Sequence, residues 1–436
     1  MPLGFSGLCD DILYLLGRSL YEENPSDAHT LMLVCTKTRQ IVVPVVYSSV
    51  RLRGSRQCTQ TLRYLKSNPW VASHIRQLVV DPNYQRTTRD TDVVSSGATE
   101  DWVAHVLEEL APHLKRLTDF RWDGSCLPKS RTFWQTLQSE CSTLEYISVS
   151  ISHQDPLFWD DTTSFLKVRD LRGLSVKIKG SSDASSNSRY LSKFPQSFWD
   201  MIHPSRSPRL HHLSFDTDIL RSFNFNPLFA LRLPSLNRLT VGSFVFSDFA
   251  TRDLVEFLHS ARSLEHLEIA PVARIPWAEI DFPNIQHYGG NIFSIFTGAT
   301  HWSTLTSLDI SCFALSFERM TAFLRRTSQL SSLTTFTFRV TSEDVHSAHP
   351  NSNFFGDGGD PALGLLPALA CCFPNLQSLN MINSSGSTLP WVKSTLHIST
   401  YNLLMKPITG VYPCLPQGIY FPEQPAPHAG TPTFWG

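Results

Sequence analysis

The chain has 436 residues, of which 42% are apolar, so it is expected to form several domains or one elongated repeat array. Its 37 Lys and Arg residues nearly balance its 38 Asp and Glu residues, which argues against nucleic-acid or membrane-surface binding. The nine cysteines include no CxxC pair typical of a metal site, and we expect reduced thiols in an intracellular protein, cytoplasmic or nuclear.

The first predicted element is an amphipathic helix over residues 8–20, LCDDILYLLGRSL. Leu13, Leu16 and Leu20 share one face of this helix. Two aspartates in the first turn suit its positive end, and without a basic region they argue against a secretory signal. The apolar run at 361–373 is too short to span a bilayer, so no membrane contact is expected.

A second helix is predicted after the turn sequence ENPSD, with Asp27 as its cap. Three side chains are expected to face inward: Leu31, Val34 and Cys35. Lys37 and Arg39 would lie near the negative C-terminal end of this helix, and Pro44 would terminate it. The alternating residues 50–53 then predict a first strand.

One phrase, LxxLxL, recurs along the rest of the chain. Clear copies begin at residues 144, 171, 210, 236, 264, 305, 333 and 376, and weaker ones at 75, 117 and 285. Most steps between copies fall within the range of leucine-rich repeats, roughly 20 to 29 residues. The longer steps contain polar stretches that we expect to loop out. Apolar residues at i, i+3 and i+5 place a loop residue and alternating strand residues against one shared core.

Helical spacing of apolar residues appears between several of these phrases, at 103–110, 254–261 and 366–373. Alternating strands and helices predict an α/β fold, a curved leucine-rich-repeat-like solenoid over 51–406. A small all-helical module over 1–50 would precede it, and a proline-rich irregular tail over 407–436 would follow it.

The N-terminal segment resembles an F-box, and the whole chain resembles fungal F-box proteins with degenerate leucine-rich repeats. The family pattern Leu-Pro-x-Asp-Ile-Leu is matched by LCDDIL at 8–13, and Leu-x-Leu-Val-Cys-x-x-Trp-Arg by residues 31–39. VPVVYSSVRL, at 43–52, is similar to the family's Pro-x-x-Tyr exit into the first repeat. The chain departs from the pattern at Cys9, in place of proline, and at Thr38, in place of an aromatic residue.

The resemblance implies a substrate-recognition subunit of an SCF-type ubiquitin ligase. Its helices would dock onto a Skp-type adaptor, and through it a cullin, while the repeats hold an unknown protein substrate. The implied adaptor contacts are Leu8, Asp10, Ile12, Leu13, Leu16, Leu33, Val34, Arg39 and Pro44. The alternative for the apolar members is an internal three-helix core. Tethering raises effective concentration, so neither catalysis nor a cofactor is required of this chain.

Two alternatives remain at this stage. One is a leucine-rich-repeat interaction scaffold with no ubiquitin-ligase connection. The other is an enzyme, which the sequence disfavours because GxSxG, HExxH and P-loop motifs are missing. His211 and His212 lack a third ligand at metal spacing, so we expect exposed repeat residues there. Aromatic side chains on the concave face are candidate substrate anchors, and Trp122 is our candidate.

Overall fold

A computed structural model describes residues 8–84, 99–152, 160, 163–180, 194–217, 222–242, 245–246, 251–269, 284–290, 303–315, 320, 324, 330–340, 369 and 372–383. The expected tail at 407–436 and most of the predicted helix at 366–373 lie outside the described residues. Within the described ranges, no helix combines the length and the apolar character needed to cross a bilayer.

The chain begins with a helical module of three helices, α1 (Asp10–Glu23), α2 (Pro25–Met32) and α3 (Thr36–Val46). Its core contains Ala28, Leu31, Val42 and Val46. The Lys37 ammonium donates to the Leu8 carbonyl oxygen at 2.7 Å, and a Cβ on Gly17 would come within 2.8 Å of Val42 Cγ2. Because these contacts join the starts and then the middles of α1 and α3, the two helices run side by side in the same direction.

The predicted second helix is in fact two helices, which corrects the sequence interpretation. The Asn24 side chain caps α2, and α3 starts anew at Cys35, whose backbone N–H donates to Thr38 Oγ1 at 3.1 Å. Cys35 Sγ accepts in return from the Thr38 backbone N–H at 3.5 Å, a reciprocal capping box. Lys37 therefore lies at the start of a helix rather than near an end. Pro44 lies inside α3, in its last turns, and does not terminate it.

Within the described ranges, twelve parallel strands form one sheet. Each inner strand pairs with the strands of the preceding and following repeats, and the first and last strands have one partner each. In spatial order they are β1 (Ser49–Arg53), β2 (Gln77–Asp81), β3 (Asp119–Trp122), β4 (Tyr146–Ser152), β5 (Gly173–Lys179), β6 (His212–Thr217), β8 (Arg238–Val241), β10 (His266–Ile269), β11 (His287–Gly290), β12 (Ser307–Leu315), β13 (Thr335–Val340) and β14 (Ser378–Asn383). Two short strands, β7 (Ser222–Phe223) and β9 (Val245–Phe246), pair separately.

Helical segments lie between many of these strands. They are α4 (Gly54–Ser67), α5 (Pro69–Ala72), α6 (Glu100–Leu110), α7 (Phe133–Glu140), α8 (Gln196–Ile202), α9 (Asn226–Phe229) and α10 (Thr251–Ser260), with short 3₁₀ turns at Ala111–His113 and Ser164–Lys167. The helices predicted over 103–110 and 254–261 correspond to α6 and α10. Leu107 and Phe257 are among their buried side chains, so both helices close the core opposite the strands.

The register of the sheet confirms the repeat phrase. Leu174 pairs with Ile147 on one side and Leu213 on the other, and the same rank of buried residues continues from Val50 to Leu379. The weak phrases at 75, 117 and 285 also supply strands of this ladder. In-register stacking buries one continuous core, as repeat architectures require. The fold is therefore the predicted α/β repeat solenoid.

Tyr47 joins the helical module to the first repeat. It packs against both the module core and the solenoid core, and its ring stacks on Tyr64 of α4 with centroids 6.5 Å apart. Burial raises the pKa of Tyr47 to about 12. The two cores are thus continuous through one aromatic side chain.

Candidate functional site

The helical module exposes five large apolar side chains, which we call the apolar surface: Ile12, Tyr14, Leu15, Leu33 and Val34. Leu33 is 84% exposed and Leu15 is 61% exposed. Elsewhere in the described ranges, the exposed large apolar side chains are Tyr64, Trp70 and Tyr84, and each is less exposed than any of these five. Such a concentration on one small module is typical of a protein-interaction site.

Three of the predicted adaptor contacts, Ile12, Leu33 and Val34, belong to this surface. Leu13 is fully buried, so it serves the internal core, and its assignment as a contact is corrected. Tyr14 and Leu15 are exposed but had not been assigned. The helical period could have indicated them, because a buried Leu13 leaves positions 14 and 15 off the core-facing side of α1.

The other predicted contacts are polar or half-buried. Leu16 packs against the module core and Leu8 is half-buried. Asp10 is exposed and lies 3.1 Å from the Lys37 ammonium. The Arg39 guanidinium sits 5.7 Å from the centroid of the Trp70 ring, a cation–π contact with the first repeat. Pro44 is half-buried within α3.

The two departures from the family pattern have different structural consequences. Cys9 precedes α1 with φ −70° and ψ 158°, the backbone conformation that proline adopts. Thr38 is fully buried and completes the α3 capping box, so it presents no aromatic surface to a partner. Cys9 in place of proline therefore keeps the same backbone conformation. Thr38 in place of an aromatic residue removes an aromatic side chain from the start of α3.

A second candidate site lies on the solvent-facing side of the sheet, which we call the polar face. Five side chains on consecutive or nearly consecutive strands form its histidine–arginine row: Tyr146, His212, Arg238, His266 and His287. Gly173 occupies the remaining position, between Tyr146 and His212. Neighbouring strands lie about 4.8 Å apart, so these side chains form one line across the sheet.

Two glycines shape the polar face. Any Cβ on Gly173 would overlap the Tyr146 ring, so the ring lies over the glycine of the next strand. Likewise, a Cβ on Gly289 would come within 2.8 Å of Glu268 Cγ, so the Glu268 side chain occupies that space. Glycine at these positions allows larger neighbours to lie flat against the sheet.

All three histidines of the row are half-buried, and two of them are stacked. His266 and His287 have ring centroids 3.9 Å apart and nearly parallel planes, and His287 Nδ1 hydrogen-bonds Ser307 Oγ at 2.8 Å. Burial lowers the pKa of His212 and that of His287 to about 4. The adjacent His266 imidazole is the main factor that lowers the pKa of Glu268. At neutral pH His212 and His287 are therefore uncharged.

Trp122 is not a surface anchor, contrary to the sequence interpretation. Its ring is fully buried, its Nε1–H donates to the Cys126 carbonyl oxygen at 2.8 Å, and it packs edge-on against Phe133. Its position in the repeat phrase explains this burial. Residue 122 is the last apolar position of the phrase, and it pairs with Val149 of the core.

His211 and His212, predicted as exposed repeat residues, are both half-buried. His211 Nδ1 contacts the Ser235 carbonyl oxygen at 2.8 Å, and His212 belongs to the histidine–arginine row. Among the side chains that the structure describes, no group of three or more His, Cys, Asp or Glu residues could hold a metal ion.

Comparisons with known proteins show distant structural likeness. No protein-family profile and no curated protein sequence matches the chain. A chain of the yeast Rad7 and Elc1 complex is similar over 87% of this chain and 91% of its own length, with 11% identity and a TM-score of 0.44. The leucine-rich repeat-containing protein LegL7 from Legionella pneumophila is similar over 68% and 84%, with 12% identity and a TM-score of 0.34. The fold assignment rests on the strand register of the chain itself.

Proposed function

We propose that this chain is a substrate-recognition subunit of an SCF-type ubiquitin ligase. The helical module docks onto a Skp-type adaptor and, through it, a cullin, while the repeat solenoid binds a protein substrate. The chain contributes no catalysis in this role. It acts by holding the substrate beside the ubiquitin-charged enzyme, which raises the effective concentration of the reacting groups.

The observation that supports this proposal is the apolar surface of the module. The segment that resembles an F-box forms a compact three-helix unit, and Ile12, Leu33 and Val34 within it remain open to solvent. Burying a side chain such as leucine contributes about 1.5 to 3 kcal/mol, so a partner that covers several of these residues gains substantial affinity. Their position, ahead of the first strand, leaves the polar face of the sheet available to a second partner.

A repeat scaffold without a ligase connection is the second candidate, and Thr38 favours it. The family pattern has an aromatic residue at this position, whereas Thr38 is buried in the capping box. An adaptor that requires an aromatic contact there would bind this chain weakly. The apolar surface would then receive a different protein.

Binding of the full-length chain to a purified Skp-type adaptor separates these candidates. We expect retention of the adaptor by the wild-type chain at micromolar concentration. We expect its loss in Leu33→Asp, which places a charge at the most exposed apolar position of the module. Tyr84→Asp, which alters an exposed aromatic residue just after β2, is the matched control and should bind normally. Failure of the wild-type chain to retain the adaptor would favour the scaffold.

A further inference from the structure

The histidine–arginine row contains one exposed cation between two imidazoles. Arg238 pairs in register with His212 on β6 and with His266 on β10. Its side chain is exposed. Within the described part of the chain it forms no hydrogen bond and no ion pair within 4.0 Å, although its charge acts on the nearby Glu268 carboxylate. Most of the other cations on this face are engaged, as Arg121 is with Asp123 at 2.7 Å and Lys177 is with Asp216 at 3.9 Å. Arg238 is therefore available to a ligand.

The surroundings of Arg238 hold unused hydrogen-bonding capacity. Thr240 Oγ1, on the same strand and the same face, has no hydrogen-bond partner within the described part of the chain. His266 Nε2 likewise has none there, since its nearest carboxylate oxygen, on Glu268, is 3.9 Å away and beyond hydrogen-bond range. Buried polar atoms without partners cost free energy, so a ligand that displaced a covering side chain and satisfied either atom would be favoured.

We propose that Arg238 and its flanking residues of the histidine–arginine row bind a carboxylate side chain on an acidic segment of a protein partner. A guanidinium accepts a carboxylate in a two-pronged arrangement that adds both strength and orientation. His212 and then Tyr146, whose ring lies over Gly173, continue the row beyond Arg238. If the proposed function holds, this partner is the ubiquitination substrate.

The charge balance of the site favours a carboxylate over a phosphate. Glu268 lies on the next strand, opposite Thr240, and its carboxylate offsets part of the Arg238 charge. Asp309, on β12, pairs in register with Gly289 and adds negative charge further along the same face. A phosphate carries close to two negative charges at pH 7 and is repelled more strongly by these carboxylates. A single carboxylate therefore suits the Arg238 guanidinium better than a phosphate does.

The test uses the full-length chain and a fluorescein-labelled peptide of alternating Glu and Gly residues, followed by fluorescence anisotropy. We expect binding that weakens at least about tenfold in Arg238→Gln, which corresponds to about 1.4 kcal/mol. Arg238→Lys keeps the charge but loses the planar guanidinium, so its affinity for the peptide should fall between those of the wild-type chain and Arg238→Gln. Arg262→Gln removes an exposed arginine one repeat later and should bind as the wild type does.

Three outcomes would overturn the proposal. The first is no binding of the Glu peptide by the wild-type chain at millimolar concentration, and the second is an equal loss in Arg238→Gln and Arg262→Gln, which indicates general charge attraction. The third is tighter, Arg238-dependent binding of a phosphoserine peptide of the same length, which assigns the site to phosphate. Adaptor binding by Arg238→Gln is measured in parallel. The proposed adaptor surface lies on the helical module, away from Arg238. A failure to bind the adaptor would therefore not change the interpretation of the peptide measurement.

Discussion

Gly17 of α1 lies so close to α3 that any Cβ at this position would come within 2.8 Å of Val42 Cγ2. Glycine inside a helix costs about 0.5 to 1 kcal/mol relative to alanine, so its presence here indicates a close approach of two helices. Gly17→Leu should lower the free energy of unfolding by about 1 to 3 kcal/mol, because the larger side chain forces α1 and α3 apart.

Urea unfolding of the full-length chain checks this prediction. Ser19→Leu adds the same side chain at an exposed position of α1 and should change stability by less than about 0.5 kcal/mol. If Gly17→Leu were as stable as the wild-type chain, α1 and α3 would not be closely packed at this position.

Cys9 already has the backbone conformation of proline, with φ −70°. Cys9→Pro introduces the proline of the F-box pattern and should stabilise the helical module by about 0.4 to 1 kcal/mol, because proline restricts the unfolded chain. Thermal unfolding measures the shift. Ser19→Pro, inside α1, should instead destabilise by about 3 kcal/mol, and a loss of stability in both variants would contradict the backbone argument.

Trp122 contributes to stability rather than to substrate contact. Its ring is fully buried beside Phe133, so Trp122→Ala should lower the free energy of unfolding by about 3 to 5 kcal/mol. Trp70→Ala, at a partly exposed tryptophan, should cost much less. If Trp122→Ala were as stable as the wild-type chain in denaturant unfolding, the side chain would not be part of the core and the interpretation as a surface anchor would stand.

The histidine–arginine row makes stability depend on pH. Burial lowers the pKa of both His212 and His287 to about 4, from an ordinary value of 6.5. Between about pH 6.5 and pH 4 the unfolded chain therefore binds more protons than the folded chain, and folding stability falls as the pH falls. Above pH 6.5 this contribution is fully present.

The double variant His212→Gln and His287→Gln isolates this effect, because other titrating groups are shared with the wild type. The wild-type chain should lose more stability than the variant when the pH is lowered from 7 to 5 in urea-unfolding measurements. Parallel losses in the two proteins would show that these imidazoles do not control the acid sensitivity.

The sequence predicts the repeat fold well, because stacked strands must repeat their buried residues at fixed positions. Phe120 and Tyr288 belong to phrases too weak to stand alone, yet both pair in the core ladder. The same periodicity predicts burial of Trp122, so its assignment as an anchor overlooked its own position in the phrase. Repeat spacing is therefore a better guide to burial than residue type.

The division between α2 and α3 could not be predicted in the same way. The cap of α3 is formed by Cys35 and Thr38, and a cysteine is not among the residues that usually cap helices. The row around Arg238, in contrast, was within reach of sequence reasoning. His212, Arg238 and His266 each stand two positions after the first apolar residue of their phrase, so the repeat period itself aligns them on the face opposite the leucines.

Hydrogen–deuterium exchange of the full-length chain, with and without a purified Skp-type adaptor, tests the proposed receptor role most directly. The proposal predicts slower exchange confined to residues 8–24 and 33–40, which hold the apolar surface and the adjoining helix starts. The strands of the sheet should exchange at unchanged rates. Unchanged exchange in both segments at saturating adaptor, or protection confined to the repeats, would contradict it.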